Sequence, residues 1–162
     1  MQYAVQRVAL LANDGRVYAR RVKLSEAQAR VCLTAADHGV LSTVHPVRGV
    51  DAVPVVYAVD GGFVGVPIDR VKPKSSSRLG RESNLEADPR ATLLIEHWDR
   101  DDWSRLWWVR ATLTHEAAAP SHVTDALSGR LAEAFEQYRD RPFHAILVLR
   151  IGSVSGWSAS VG

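Results

Sequence analysis

The chain is short of several things, and each shortage excludes a class of protein. A single cysteine, Cys32, rules out an internal disulfide and fits a reducing compartment. It sits in a helical pattern, where a buried inert thiol is expected. Six histidines never fall at a two- to four-residue ligand spacing and have no cysteine partners, so no metal site is expected. The closest approach to a Gly-x-Ser-x-Gly elbow, Gly152-Ser153-Val154-Ser155-Gly156, places valine where the nucleophile belongs. No phosphate-binding Gly-x-x-x-x-Gly-Lys loop and no Gly-x-Gly-x-x-Gly is present. The apolar run Val8–Ala12 is brief and meets Asn13-Asp14-Gly15, so neither a signal peptide nor a membrane span is expected, and the reading is cytoplasmic. A net charge of +2 gives no reason to expect nucleic acid. What is left is a soluble globular domain with no evident nucleophile or acid/base pair, in which any chemistry must come from a cofactor.

What the sequence does contain is strand-like. Residues 3–22 read as two runs around Asn13-Asp14-Gly15, a hairpin signal with a short helix as the competing reading. Ser25 and Gln28 form a capping box that opens a helix to about Asp37–His38, with Gly39 available to close it in the left-handed conformation. The period then drops to two. Strands are expected over Val40–Val47, Ala52–Asp60 and, across the Gly61-Gly62 turn, Phe63–Asp69. Pro54 and Pro67 mark those strands as edges or bulges, because proline has no N–H for a ladder. A short helix is expected over Ser77–Ala87, and Arg90–Trp98 and Leu106–Glu116 form a hairpin. A patterned helix runs from Pro120-Ser121 to near Tyr138, and a central apolar strand covers Ala145–Ile151. The sum is a mainly β (α+β) antiparallel barrel with helical caps.

Two stretches carry chemistry. Between Arg70 and Arg81 lie five cations (Arg70, Lys72, Lys74, Arg78, Arg81), three serines and no acid, and two of the chain's three lysines flank Pro73. A stiffened loop at a strand end, offering ammonium charge and hydroxyl donors, suits a phosphate, although an ordinary solvated basic loop has the same composition. Four of the five tryptophans lie between residues 98 and 108. On a strand Trp107 and Trp108 face opposite ways, so one enters the core and the other needs a partner surface or a flat ligand. Arg105 and Arg110 could neutralise anionic cofactor groups or pair with Asp101 or Asp102.

Val-Leu-Ser-Thr-Val (40–44), Val-Pro-Val-Val-Tyr-Ala-Val-Asp (53–60), Val-Lys-Pro-Lys-Ser (71–75) and Ser-Asn-Leu-Glu-Ala-Asp-Pro-Arg-Ala (83–91) come in the order seen in the pyridoxamine 5'-phosphate oxidase-like split-barrel superfamily of flavin and deazaflavin proteins. With Asp-Asp-Trp-Ser-Arg-Leu-Trp-Trp-Val-Arg (101–110), the chain resembles the actinobacterial branch that uses coenzyme F420. The resemblance covers about residues 25–158 and implies a split antiparallel β-barrel that is homodimeric, with two cofactor sites at the subunit interface. It implies that Lys72, Lys74 and Ser75 bind phosphate and that Val66, Pro67, Ile68 and Asp69 present backbone to the ring system. Thr43 and Val55 become neighbouring contacts, Asn84 packs behind the loop, and Trp103 reaches the partner's deazaflavin. Residues 1–24 have no counterpart and form an extension to a domain over 25–162. The turn at residues 46–51 is longer than the family's usual Gly-x-Pro connection.

The implied activity is hydride transfer between F420 and a small electron-poor organic acceptor, with no catalytic residue named. FMN is the alternative cofactor, in an oxidase or reductase. A non-catalytic carrier of F420, flavin or a tetrapyrrole is the alternative from another class. No metal, nucleic acid or membrane enters any of these readings.

Overall fold

The computed structural model describes residues 22–69 and 79–159. The expected N-terminal hairpin therefore lies outside them, apart from a three-residue strand β1 (Val22–Leu24). Helix α1 (Glu26–Ala35) opens with the predicted capping box: the Gln28 N–H donates to Ser25 Oγ at 3.2 Å, and the Ser25 N–H donates to Gln28 Oε1 at 2.9 Å. It ends earlier than expected. Ala36 is extended, and Gly39 belongs to strand β2 (His38–His45) instead of closing the helix. The glycine is there for space, since a Cβ would sit 2.6 Å from the Leu94 carbonyl oxygen and 2.8 Å from Ile95 Cγ2.

Strand β3 (Gly49–Val56) returns beside β2. The strand expected over 52–60 is broken at Tyr57, whose N–H donates to Asp37 O at 3.0 Å and whose hydroxyl donates to Leu33 O at 2.7 Å. After Tyr57 the short β4 (Ala58–Asp60) changes partner and pairs with β5 (Phe63–Asp69), which has the predicted bounds. Helix α2 (Gly80–Ala87) precedes β6 (Arg90–His97), which forms the expected hairpin with β7 (Trp107–His115). Helix α3 (Ser121–Ala134) is followed by a 3-10 turn at Glu136–Tyr138. The last strand, β8 (Phe143–Ser158), has 16 residues and runs well past the expected Ile151.

The sheet order is β3-β2-β6-β7-β8-β5-β4, with β1 also on β8, and every described pairing is antiparallel. β8 is the spine. Its first half pairs with β5, its second half pairs with β7, and its end also takes β1. Inward residues from all the long strands (Leu41, Val55, Val66, Leu93, Val109, Leu149) form one core with Leu33 of α1 and Leu85 of α2. A second cluster, Ala58, Leu131 and Tyr138, seats α3 and the 3-10 turn beside β4 and β5.

The curl does not close. Among the described residues β3 pairs only with β2, and the second edge of β5 is paired only over Phe63–Gly65. Pro54 and Pro67 stand on these two free stretches, so each open edge lacks a donor that a closing ladder would need. Among the described residues the result is a split antiparallel half-barrel with three α-helices. No helix among the described residues is long and apolar enough to cross a membrane.

Candidate functional site

The opening between β3 and β5 is a cleft of about 380 Å³. Pro54, Val55 and Val56 form one wall, and Val66 and Pro67 form the other. Its polar groups arrive from elsewhere in the chain: His38 at the start of β2, Arg81 in the first turn of α2, and Gln137 from the 3-10 turn. The turn is fixed by aromatic packing, because the ring of Tyr138 meets Phe135 and Phe143 edge-on at 5.7 and 5.1 Å. Arg81 Nη2 donates to the Pro67 carbonyl oxygen at 3.4 Å, which joins α2 to the β5 wall. The cleft has two apolar walls with a few polar groups at its rim, and its volume is within the range of small-molecule sites, about 300–1,000 Å³.

Three of the residues singled out from the sequence, Val55, Val66 and Pro67, line this cleft together. Ile68 is buried in the core, and Asp69 ends β5. Lys72, Lys74 and Ser75 lie outside the described residues and follow β5 in the sequence. Thr43 does not join the cleft; it borders a shallower groove of about 230 Å³ with Ser42, Val44, Val50 and Arg90.

Asn84 has a bracing part. It is buried at 2% exposure, and its Nδ2 donates to Thr43 Oγ1 and to Asp51 Oδ2, both at 3.0 Å. Arg48 Nη2 donates to the same Asp51 oxygen at 2.8 Å. The Asn84 amide, more than Arg48, holds the Asp51 carboxyl below its ordinary value. One amide thus ties α2 to both β2 and β3, and so fixes the helix that presents Arg81.

Trp103 is 63% exposed on a 3-10 turn (Trp103–Arg105) in the β6–β7 connection, 5.0 Å from the ring of Trp98 at a 58° tilt. That connection is internally bonded. Asp99 Oδ1 accepts from the Asp101 and Asp102 N–H groups, both at 3.0 Å, and those bonds, chiefly that from Asp102, hold its carboxyl below the usual range. Arg105 pairs with Asp99 at 2.8 Å, and not with Asp101 or Asp102 as the sequence suggested. Arg110 lies 6.0 Å from the Trp108 ring centroid, a cation–π placement. As expected, Trp107 packs on the core, while Trp108 faces outward beside its cross-strand partner Trp157. Cys32 is half-buried and burial raises its thiol pKa, in keeping with an inert role. Among the described residues no three His, Cys, Asp or Glu side chains are grouped to hold a metal.

His38, Gln137 and Tyr138 were not singled out as site residues from the sequence, whereas Arg81 was one of the five cations of the basic stretch. The one local signal was Asp37 directly before His38.

Neither a family model nor a curated protein matches the chain. Solved structures do resemble it. An FAD-binding protein from Mesorhizobium loti superposes with a TM-score of 0.58 at 17% identity, over 85% of this chain and 95% of its own. A candidate pyridoxamine 5'-phosphate oxidase from Corynebacterium glutamicum gives 0.54 at 15% identity, over 88% and 95%. A heme-binding protein from Mycobacterium smegmatis gives 0.60 at 21%, over 87% of this chain and 57% of its own. The chain shares a split antiparallel half-barrel fold with these solved structures. At these identities the likeness is one of fold.

Proposed function

We propose that the protein is an F420-dependent oxidoreductase that works as a cytoplasmic homodimer and passes hydride between the deazaflavin and a small electron-poor organic acceptor. The observation that carries this reading is the meeting of Val55 of β3 with Val66 and Pro67 of β5 in one apolar cleft, β5 being the strand that the sequence follows with the lysine–proline–lysine stretch. A flat ring fits between two apolar walls, and the cations that follow β5 in the sequence suit an anionic tail. When bound, the cofactor supplies the hydride chemistry. The chain's own residues orient the ring between β3 and β5, keep water from it, and anchor its phosphate through Lys72, Lys74 and Ser75. Dimerisation is supported by apolar side chains left outward on β2, β3 and β6 (Val40, Val50, Leu94) and by the exposed Trp98 and Trp103. Trp103 is the residue that would reach the partner's cofactor.

FMN is the second reading, because the FAD-binding neighbour of the same fold holds a flavin. A tetrapyrrole carrier is the third, favoured by the heme-binding one. Fluorescence-quenching titration with F420, FMN and haem separates the three. Replacing both Lys72 and Lys74 by Ala is expected to weaken F420 binding by about 2 kcal/mol, the worth of one or two charge-assisted hydrogen bonds. Unchanged affinity in that double variant would reject the phosphate anchor, and consumption of reduced F420 by enones or quinones separates an enzyme from a carrier.

A further inference from the structure

We propose that Asp37 and His38 form a proton-transfer pair at the mouth of the β3/β5 cleft, with His38 as the group that gives its proton to the reduced acceptor and Asp37 as its positioning residue. This rests on the oxidoreductase reading above, and it supplies the acid that the sequence did not reveal.

The geometry is local and specific. His38 Nδ1 lies 2.7 Å from Asp37 Oδ1. A carboxylate in that place fixes Nδ1–H as its donor, which leaves Nε2 as the working nitrogen. Among the described residues nothing bonds to Nε2. The pair's backbone is pinned from two sides: Asp37 O accepts the Tyr57 N–H, and His38 is paired with Val56 at the cleft wall. The ring is therefore held beside the site while its side chain stays 80% exposed, open to solvent protons.

Elimination among the cleft's polar groups leads to the same residue. Arg81 of α2 keeps its proton throughout the physiological range, and the Gln137 amide has none to exchange. The Tyr138 phenol is buried in an aromatic cluster. His38 is the described cleft residue whose side-chain nitrogens can both give and take a proton. Nor does stability account for the pair. Asp37 is 62% exposed, and exposed ion pairs add little to folding.

The step balances without any further reagent. With a reduced deazaflavin or flavin bound, the acceptor would take from it a hydride, hence two electrons, at its electron-poor carbon. The displaced electron pair moves onto the acceptor's activating oxygen or adjacent carbon and bonds the proton released from Nε2 of the imidazolium. The ring is left neutral and is recharged from solvent, the cofactor is oxidised by two electrons, and the acceptor is reduced by two.

The test uses full-length protein with reduced F420, or FMN if that is what binds, and menadione and 2-cyclohexen-1-one as acceptors. His38→Gln should lower kcat by about 100-fold, at the low end of what positioned proton transfer contributes, with cofactor affinity unchanged. It should also abolish the alkaline limb of the pH profile. Asp37→Asn should lose less rate, with an unchanged melting temperature, and Asp37→Glu should recover part of the loss. Added imidazole should restore turnover to His38→Gly, which a purely structural defect would not allow. Diethylpyrocarbonate should modify His38 in the free protein and be excluded by bound cofactor, a readout that needs no turnover. Wild-type rate and pH profile in His38→Gln would overturn the proposal, as would failure of imidazole rescue or labelling that the cofactor does not block. Binding of cofactor without consumption by wild type overturns the proton role alone. Absence of any cofactor binding overturns the underlying reading and the proposal together.

Discussion

The two sides of the sheet end differently. Around β8 every neighbour closes up: β7 pairs along Trp107–His115, β5 along Phe63–Asp69, and β1 covers the end. Gly156 is packed so tightly that a Cβ would meet Val109, Leu24 and the Trp108 carbonyl within 2.9 Å. On the other side β3 and β5 turn free edges toward each other, each interrupted by a proline, and polar residues from three distant segments line the gap. The same alternating pattern builds both sides. What separates them is whether each backbone N–H has a strand to meet, and the site lies where pairing stops.

The largest expected effect tests the closed side. Leu149 is fully buried at the spine, and Leu149→Ala should cost about 2–5 kcal/mol in chemical denaturation, the usual price of such a cavity. A loss under 1 kcal/mol, below that range, would mean that the β7/β8/β5 side is looser than its pairing implies. Asn84→Ala tests the link between the two sides. Thr43 Oγ1 and the Asp51 carboxylate would lose their shared donor, at a cost of about 1–3 kcal/mol. Cofactor affinity should fall with it, because α2 presents Arg81 to the cleft. Stability lost with affinity intact would detach that brace from the site.

Much of this contrast was legible in the chain, and the reasons are particular. β5 was bounded correctly because the Gly61-Gly62 turn fixes its start and strict alternation its course. The two prolines announced open edges. β8 was read short because Gly152-Ser153 resembles a turn. In the fold Thr112 Oγ1 accepts the Ser153 N–H at 3.0 Å where the register shifts, and β7 carries the strand on to Ser158. The helix end near Gly39 was misread because a glycine chosen for close strand approach has the same letter as one chosen for a positive φ. His38, Gln137 and Tyr138 meet only through the curl of the sheet, about 100 residues apart in the chain, and no spacing rule could join them.

Acid should act gradually and on both sides. Arg90 holds the Asp88 carboxyl down to about 2, and Asp51 and Asp99 are also lowered by their donors. Each folded value lies below the unfolded value of about 3.9, so these contributions are complete above about pH 5 and are lost as pH falls through the folded values. Asp51→Asn should flatten part of that decline in a melting-temperature series, and an unchanged slope would remove Asp51 from the account. The smallest effect on stability is expected at the split itself. Pro54→Thr restores an N–H to the free β3 edge and should change stability by no more than about 0.5 kcal/mol while increasing self-association in sedimentation runs. Unaltered sedimentation would show that the proline does not guard this edge.

The most direct test of the cleft is hydrogen exchange on the protein alone and with saturating F420 or FMN, read residue by residue. Protection of the Val53, Val55, Val56, Val66 and Ile68 amides, with the β7–β8 ladder unchanged, is the predicted result. Protection confined to surfaces away from both proline-bearing edges would contradict the account.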